Sequence, residues 1–102
     1  MNKLFKIEAE IELYKEGRRT LPIITGYRPG FKFVGGRMTS GAITLLNSEE
    51  LKPGEKGIVE IRFAIKDLLG EVNIGTEFIF NEGAAEIGKG IVTKIIGWTD
   101  NG

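Results

Sequence analysis

Residues 83–93 read GAAEIGKGIVT, and two folds compete for this stretch. Its first eight residues satisfy seven of the eight positions of G-x-x-x-x-G-K-[ST], the loop that cradles phosphate in nucleotide hydrolases. Only Gly90 fails, standing where Ser or Thr would hold magnesium. A working phosphate loop follows a buried strand and opens a helix, whose N-terminus supplies the dipole and the free N–H groups. Here Lys89 is followed by Gly90, Ile91, Val92 and Thr93. A glycine and three β-branched residues start a helix poorly and a strand well. Glu82 and Glu86 would also repel phosphate. The stretch therefore predicts two strands meeting at a glycine-dependent bend, with Gly88 and Gly90 permitting a close backbone approach or a bulge.

The rest of the chain agrees with strands. Ile7, Ala9, Ile11 and Leu13 alternate with Glu8, Glu10 and Glu12, and Val59, Ile61, Phe63 and Ile65 alternate with Glu60, Arg62 and Ala64. Period two places the apolar set on one face of a half-buried strand. Shorter apolar runs at 21–24, 31–34, 42–46, 78–80 and 91–96 are rich in Ile, Val, Phe and Thr. Turn signals separate them: Glu16-Gly17, Arg28-Pro29-Gly30, Gly35-Gly36, Pro53-Gly54 and Asn81-Glu82-Gly83. One helical turn is expected at most, at Ser48–Leu51. Six or seven short strands at regular spacing predict an all-β barrel or sandwich, and spacing alone does not separate the two.

Length and composition narrow the function. The chain has 102 residues, which fits a single domain over residues 1–102. It has no Cys, so disulfides and thiolate metal sites are excluded. It has no His, which removes the usual general base and the commonest zinc ligand. No apolar run approaches the ~20 residues that span a bilayer, and the charged start MNKLFKIEAEIEL has no signal-peptide core. A cytoplasmic protein with no membrane partner is expected. Fourteen basic and fourteen acidic residues balance, so there is no global nucleic-acid footprint. Residues 1–46 nevertheless carry eight basic and four acidic side chains, net +4, and residues 47–102 carry six and ten, net −4. Arg18, Arg19, Arg28, Lys32 and Arg37 read either as a solvated loop face or as a small anion-binding patch.

Several stretches, in order, resemble the third, C-terminal domain of translation elongation factor Tu. GYRPGF (26–31) resembles its GYRPQF, and EGRRTLP (16–22) its EGGRHTP. SGAITL (40–45) resembles TGTIEL, Pro53-Gly54-Glu55 its PGD turn, and FIFNEGAAEIGKGIV (78–92) its FAIREGGRTVGAGVV. The resemblance covers about residues 8–97. It implies a closed antiparallel β-barrel of about six strands. Nucleotide binding in that family belongs to a separate GTPase domain, which nothing in this chain resembles, so no nucleotide and no cofactor is expected.

In the family this barrel contacts the T-stem of aminoacyl-tRNA and packs on the GTPase domain. The resemblance carries candidate RNA- or partner-binding roles onto Arg19, onto Glu82 and Gly83 of the final hairpin, and onto Thr39 or Ser40. Tyr27 and Arg28 of GYRP join them. Tyr27 would either stack on a base or pack over Pro29, and Arg28 would either bond turn carbonyls or reach a ligand. Two departures weaken RNA affinity. The family's glutamine is Gly30 here, and the family's REGGRT is NEGAAE, which lacks both arginines and adds Glu86. Trp98 is expected to cap the open barrel end, and Glu8, Glu10 and Glu12 to form a solvated outer face.

The function expected from these residues is a non-catalytic binding module, translation-associated, with a protein or tRNA partner. Two alternatives stand beside it. One is a small-ligand binder or enzyme using the barrel mouth, with Glu82 and Glu86 as acid and base and a raised carboxylate pKa. The other is a structural homo-oligomer joined through strand edges or the Trp98 region. No metal site and no catalytic residue are expected.

Overall fold

In the computed structural model, which describes residues 3–100, the alternation of the first strand decides which side of the sheet is wet. In β1 (Lys3–Leu13) Phe5, Ile7, Ala9, Ile11 and Leu13 are buried, and the residues between them face outward. The same holds for β7 (Lys56–Phe63), where Val59, Ile61 and Phe63 point inward. The other strands are β2 (Ile23–Ile24), β3 (Gly30–Phe33), β4 (Thr39–Ser40), β5 (Ala42–Leu45), β6 (Glu50–Leu51), β8 (Glu77–Glu82) and β9 (Ala85–Asp100). Seven strands form one antiparallel sheet in the order β4-β3-β8-β9-β1-β7-β5, while β2 and β6 pair separately.

The all-β expectation is met, but the sheet is a curled half-barrel and not the closed barrel of about six strands. Its two outermost strands, β4 and β5, are consecutive in the chain with only Gly41 between them. A one-residue link leaves no room for the turn that antiparallel pairing needs. The exposed edge of β5 is covered instead by the loop between β2 and β3. Gly26 N–H donates to the Ile43 carbonyl (2.8 Å), Ile43 N–H to the Tyr27 carbonyl (2.9 Å) and Gly41 N–H to the Pro29 carbonyl (3.3 Å). Covering an edge by a loop is one of the ways a sheet avoids pairing with another chain.

The curl comes largely from β9. Against β1 its register slips at Thr93 and at Ile96, and against β8 it slips at Ile87. Each extra residue is a bulge that bends the strand and increases its twist. The glycines of the opening stretch do what the strand reading requires. A methyl group on Gly88 would lie 2.1 Å from Phe80 Cζ, and one on Gly90 would lie 2.4 Å from Phe78 Cζ. The two phenyl rings occupy the space that side chains would otherwise take. They join Phe31, Phe33 and Phe63 in a chain of tilted and edge-to-face contacts with centroids 4.7 to 6.0 Å apart. Such pairs each add about 0.5–1.5 kcal/mol beyond area burial.

The hairpin between β8 and β9 has two loop residues, Gly83 and Ala84, with Glu82 paired to Ala85. Gly83 has φ +56° and Ala84 has no positive φ. That combination is the type II′ pattern, which asks for glycine at the first loop position. The helical turn expected at Ser48–Leu51 is absent, because Leu51 is drawn into the core by pairing of β6 with β2. A short 3₁₀ turn forms instead at Lys66–Leu69 and buries Leu69. Trp98 packs edge-on against Phe5, with centroids 5.6 Å apart, and remains 52% exposed. Among the described residues no helix is long and apolar enough to cross a membrane.

Candidate functional site

Three stretches that lie far apart in the chain meet at one carboxylate oxygen. The loop after β1 delivers Arg19, the loop before β3 delivers Tyr27, and the end of β8 delivers Glu82. Arg19 Nη1 donates to Glu82 Oε2 at 2.5 Å, and the Tyr27 hydroxyl donates to the same oxygen at 2.6 Å. The guanidinium also lies over the Tyr27 ring, 4.4 Å from its centroid, a cation–π contact. Its remaining donors hold its own loop: Nε bonds the Leu21 carbonyl and Nη2 the Pro22 carbonyl, each at 2.9 Å.

Arg19 is suited to this position because its planar fork offers several donors in fixed directions. The electrostatics follow from the geometry. The Tyr27 hydrogen bond, together with the Arg19 charge, holds the Glu82 carboxyl below its ordinary value of 4.5, against the opposing effect of burial. Arg18 adds to the same effect from nearby. Burial, then the Glu82 carboxylate, push the Tyr27 phenol well above its ordinary range. At neutral pH Glu82 is therefore anionic and Tyr27 neutral.

The other candidates sit apart from this clasp. Gly83 is exposed at the hairpin tip, next to Glu82. Arg28 is exposed, and among the described residues it forms no ion pair and no side-chain hydrogen bond. Thr39 is half-buried on β4 opposite Phe31, and no hydrogen bond joins it to the clasp. Its neighbour Ser40 lies opposite Gly30, which in turn lies opposite Asn81, so these three form one row across β4, β3 and β8.

Asn81 has a role that its sequence position did not suggest. It is 8% exposed, its Nδ2 donates to the Gly83 carbonyl at 3.1 Å, and its Oδ1 has no partner. It braces the hairpin that presents Glu82. The signal was an amide side chain two residues before a hairpin glycine, a spacing from which Asn bonds nearby backbone. Tyr14 is the second residue missed. Its hydroxyl bonds Glu86, and burial followed by that carboxylate pushes its phenol up to about 12.

Among the described residues, buried Phe, Ile, Leu and Val side chains fill the inner face, where the barrel-mouth ligand was expected. Glu82 and Glu86 engage different tyrosines, Tyr27 and Tyr14, and do not converge. The Glu82 shift is downward, the reverse of the raised carboxyl that a general acid needs. A concavity of about 590 Å³ lies on the outer face of the sheet instead. No group of three or more potential metal ligands forms among the described residues. In the outward row of glutamates, Glu8 lies opposite Lys94 and Glu60, Glu10 opposite Ile91 and Ile58, and Glu12 opposite Lys89 and Lys56. The chain matches no protein-family model.

Proposed function

We propose that the chain is a non-catalytic binding module, a relative of the third domain of elongation factor Tu, and that its partner is RNA of the tRNA class. The carrying observation is the convergence of three of the stretches on which the resemblance rests. EGRRTLP supplies Arg19, GYRPGF supplies Tyr27 and NEG supplies Glu82, and all three close on one carboxylate oxygen. Motifs that match by chance have no reason to meet.

The clasp also divides the labour among the arginines. Arg19 is committed internally, so it shapes the loops and does not carry the phosphate contacts. Those fall to the exposed Arg18 and Arg28, each one residue from a clasp member. A cytoplasmic, translation-associated role belongs to this reading.

The test is a titration of the full chain against bulk tRNA over a range of salt, read by RNA mobility. Binding is expected to weaken with salt. Each phosphate neutralised contributes a slope of about 0.7–0.9 in log K against log salt. The double variant Arg18→Ala/Arg28→Ala should lower that slope by about 1.4–1.8 while the fold stays intact. If tRNA does not bind at low salt, the RNA reading is abandoned and a protein partner takes its place.

A further inference from the structure

Met38 carries the only sulfur atom among the described residues, because the chain has no cysteine and its other methionine is Met1. It stands just before β4 and is 46% exposed. Its side chain lies across Gly30 of the neighbouring strand β3. A methyl group on Gly30 would stand 2.9 Å from Met38 Sδ and 3.7 Å from its Cγ. The same point is 3.3 Å from Asn81 Oδ1. Gly30 lies directly opposite Asn81 on β8. Thioether and amide therefore meet over the bare backbone of one glycine.

This contact explains how Asn81 is held. Phe78 and Phe80 point into the core, so Asn81 takes the outer side of β8, yet it is buried. Gly30 leaves room beside it, and Met38 fills that room as a cover. Under the cover Oδ1 has no hydrogen-bond partner, while Nδ2 donates to the Gly83 carbonyl at 3.1 Å and braces the β8–β9 hairpin. A reduced thioether is a tolerable neighbour for an unpaired acceptor, being flexible, largely apolar and only a weak acceptor itself. A sulfoxide is polar and carries a strong acceptor oxygen, so it suits water and not a dry contact with a second acceptor.

We propose that Met38 is an oxidative modification site, taking one oxygen from a peroxide, and that its sulfoxide uncovers Asn81 and loosens the hairpin that presents Glu82. In the reaction a sulfur lone pair attacks one peroxide oxygen and the O–O bond breaks as the S–O bond forms. Sulfur loses two electrons, and hydrogen peroxide leaves as water. The sulfoxide draws the side chain off Gly30 into solvent. Water then reaches Asn81 Oδ1, and the amide is no longer confined to the one orientation that bonds the Gly83 carbonyl. The effect passes from Met38 to Asn81 by contact and from Asn81 to Glu82 through the hairpin backbone.

The experiment treats the full chain with hydrogen peroxide, locates the added oxygen by peptide mass, and follows the product by amide NMR and hydrogen exchange. Oxidation at Met38 should shift the Asn81 side-chain amide and the backbone signals of residues 30 and 81–83. Exchange at Glu82 and Gly83 should quicken by about two- to tenfold, the factor that losing one hydrogen bond supplies. Met38→Leu keeps an apolar cover and retains Met1, so peroxide should leave its hairpin signals in place. Gly30→Ala tests the contact without any oxidant. Gly30 has no positive φ, so an added methyl acts through space alone, displacing Sδ and crowding Oδ1. It should shift the Asn81 side-chain amide in the reduced protein. The proposal is overturned if Met38 stays reduced under conditions that fully oxidise N-acetyl-methionine amide. It is also overturned if the oxidised protein keeps its signals at 81–83, if Met38→Leu shows the same shifts, or if Gly30→Ala leaves Asn81 unmoved. None of these readouts uses RNA, so this proposal and the tRNA reading fail separately.

Discussion

Arg19 shows why a charged residue in a loop can matter more to the fold than to a ligand. Three of its donors are used inside the protein, on Glu82 and on two carbonyls of its own loop. Lysine has one ammonium on a flexible stem and cannot reproduce that fork. Arg19→Lys and Arg19→Ala should therefore both lower the free energy of unfolding by about 1–3 kcal/mol, the range for a hydrogen bond to a charged group and the partner it leaves behind. Urea unfolding measures it, and a loss of tRNA binding without a loss of stability would contradict the role given to this residue. Glu82 makes the clasp sensitive to acid. Its folded pKa lies below 4.5, so its stabilising contribution is complete above that value and is lost as pH falls through the folded pKa. The acid limb of a stability–pH curve should flatten in Glu82→Gln. Tyr14 acts in the opposite range. Its phenol is pushed from 10.0 to about 12, so its contribution is complete below pH 10.0 and is lost as pH rises toward 12. Tyr14→Phe should remove part of the alkaline loss, with Tyr27 supplying the rest.

The β8–β9 hairpin is where local sequence and long-range packing can be told apart. Gly83, Gly88 and Gly90 all look alike in the sequence, yet they do different work. Gly83 supplies a positive φ in open space, so Gly83→Ala should cost only about 1 kcal/mol, a backbone effect. Gly88 lies under the Phe80 ring and against the Glu12 carbonyl, at 2.1 and 2.5 Å from an added methyl. Gly88→Ala must displace both and should cost about 1–3 kcal/mol or more, as overpacking does. Thermal unfolding of the pair would rank them, and equal losses would mean that the phenyl ring moves aside freely. The hairpin, the alternating faces of β1 and β7, and the Pro53-Gly54 turn, closed by Glu55 N–H on the Lys52 carbonyl at 3.0 Å, were all legible because each depends on residues a few positions apart. A bulge beside Gly88 was also expected and falls at Ile87, whereas those at Thr93 and Ile96 were not legible. A bulge is a mismatch between two strands, and one strand's sequence does not contain its partner's register. Segment β6 departs from the expected helical turn for a related reason. Glu49-Glu50-Leu51 has helical propensity, and the burial of Leu51 against β2 overrides it.

For the whole molecule the decisive fact is that the central pair of the sheet, β9 with β1, joins the two ends of the described chain, with Lys3 opposite Asp100. The open half-barrel and the Arg19–Tyr27–Glu82 clasp are long-range arrangements of the same kind. The resemblance named the three clasp residues, and local pattern had no means of showing that they bond one another across 55 and 63 residues of chain. The same separation orders folding. The β8–β9 hairpin closes a two-residue loop, whereas β1–β9 pairing closes almost the whole chain, and loop closure must precede the reward of non-local contacts. The hairpin is therefore expected to be formed in the transition state and the β1–β9 ladder to close later. Phe80→Leu, which thins the hairpin's packing on Gly88, should mainly slow folding. Ile7→Val, at the centre of the ladder and fully buried, should cost about 0.5–1.5 kcal/mol and appear mainly as faster unfolding. Trp98 is placed to report this, because it packs against Phe5 across the β1–β9 pair. Stopped-flow chevrons of the two variants, followed by Trp98 fluorescence, decide the order. If Ile7→Val slows folding while Phe80→Leu speeds unfolding, the ladder forms first, and the long strand β9 is the template on which the hairpin is built.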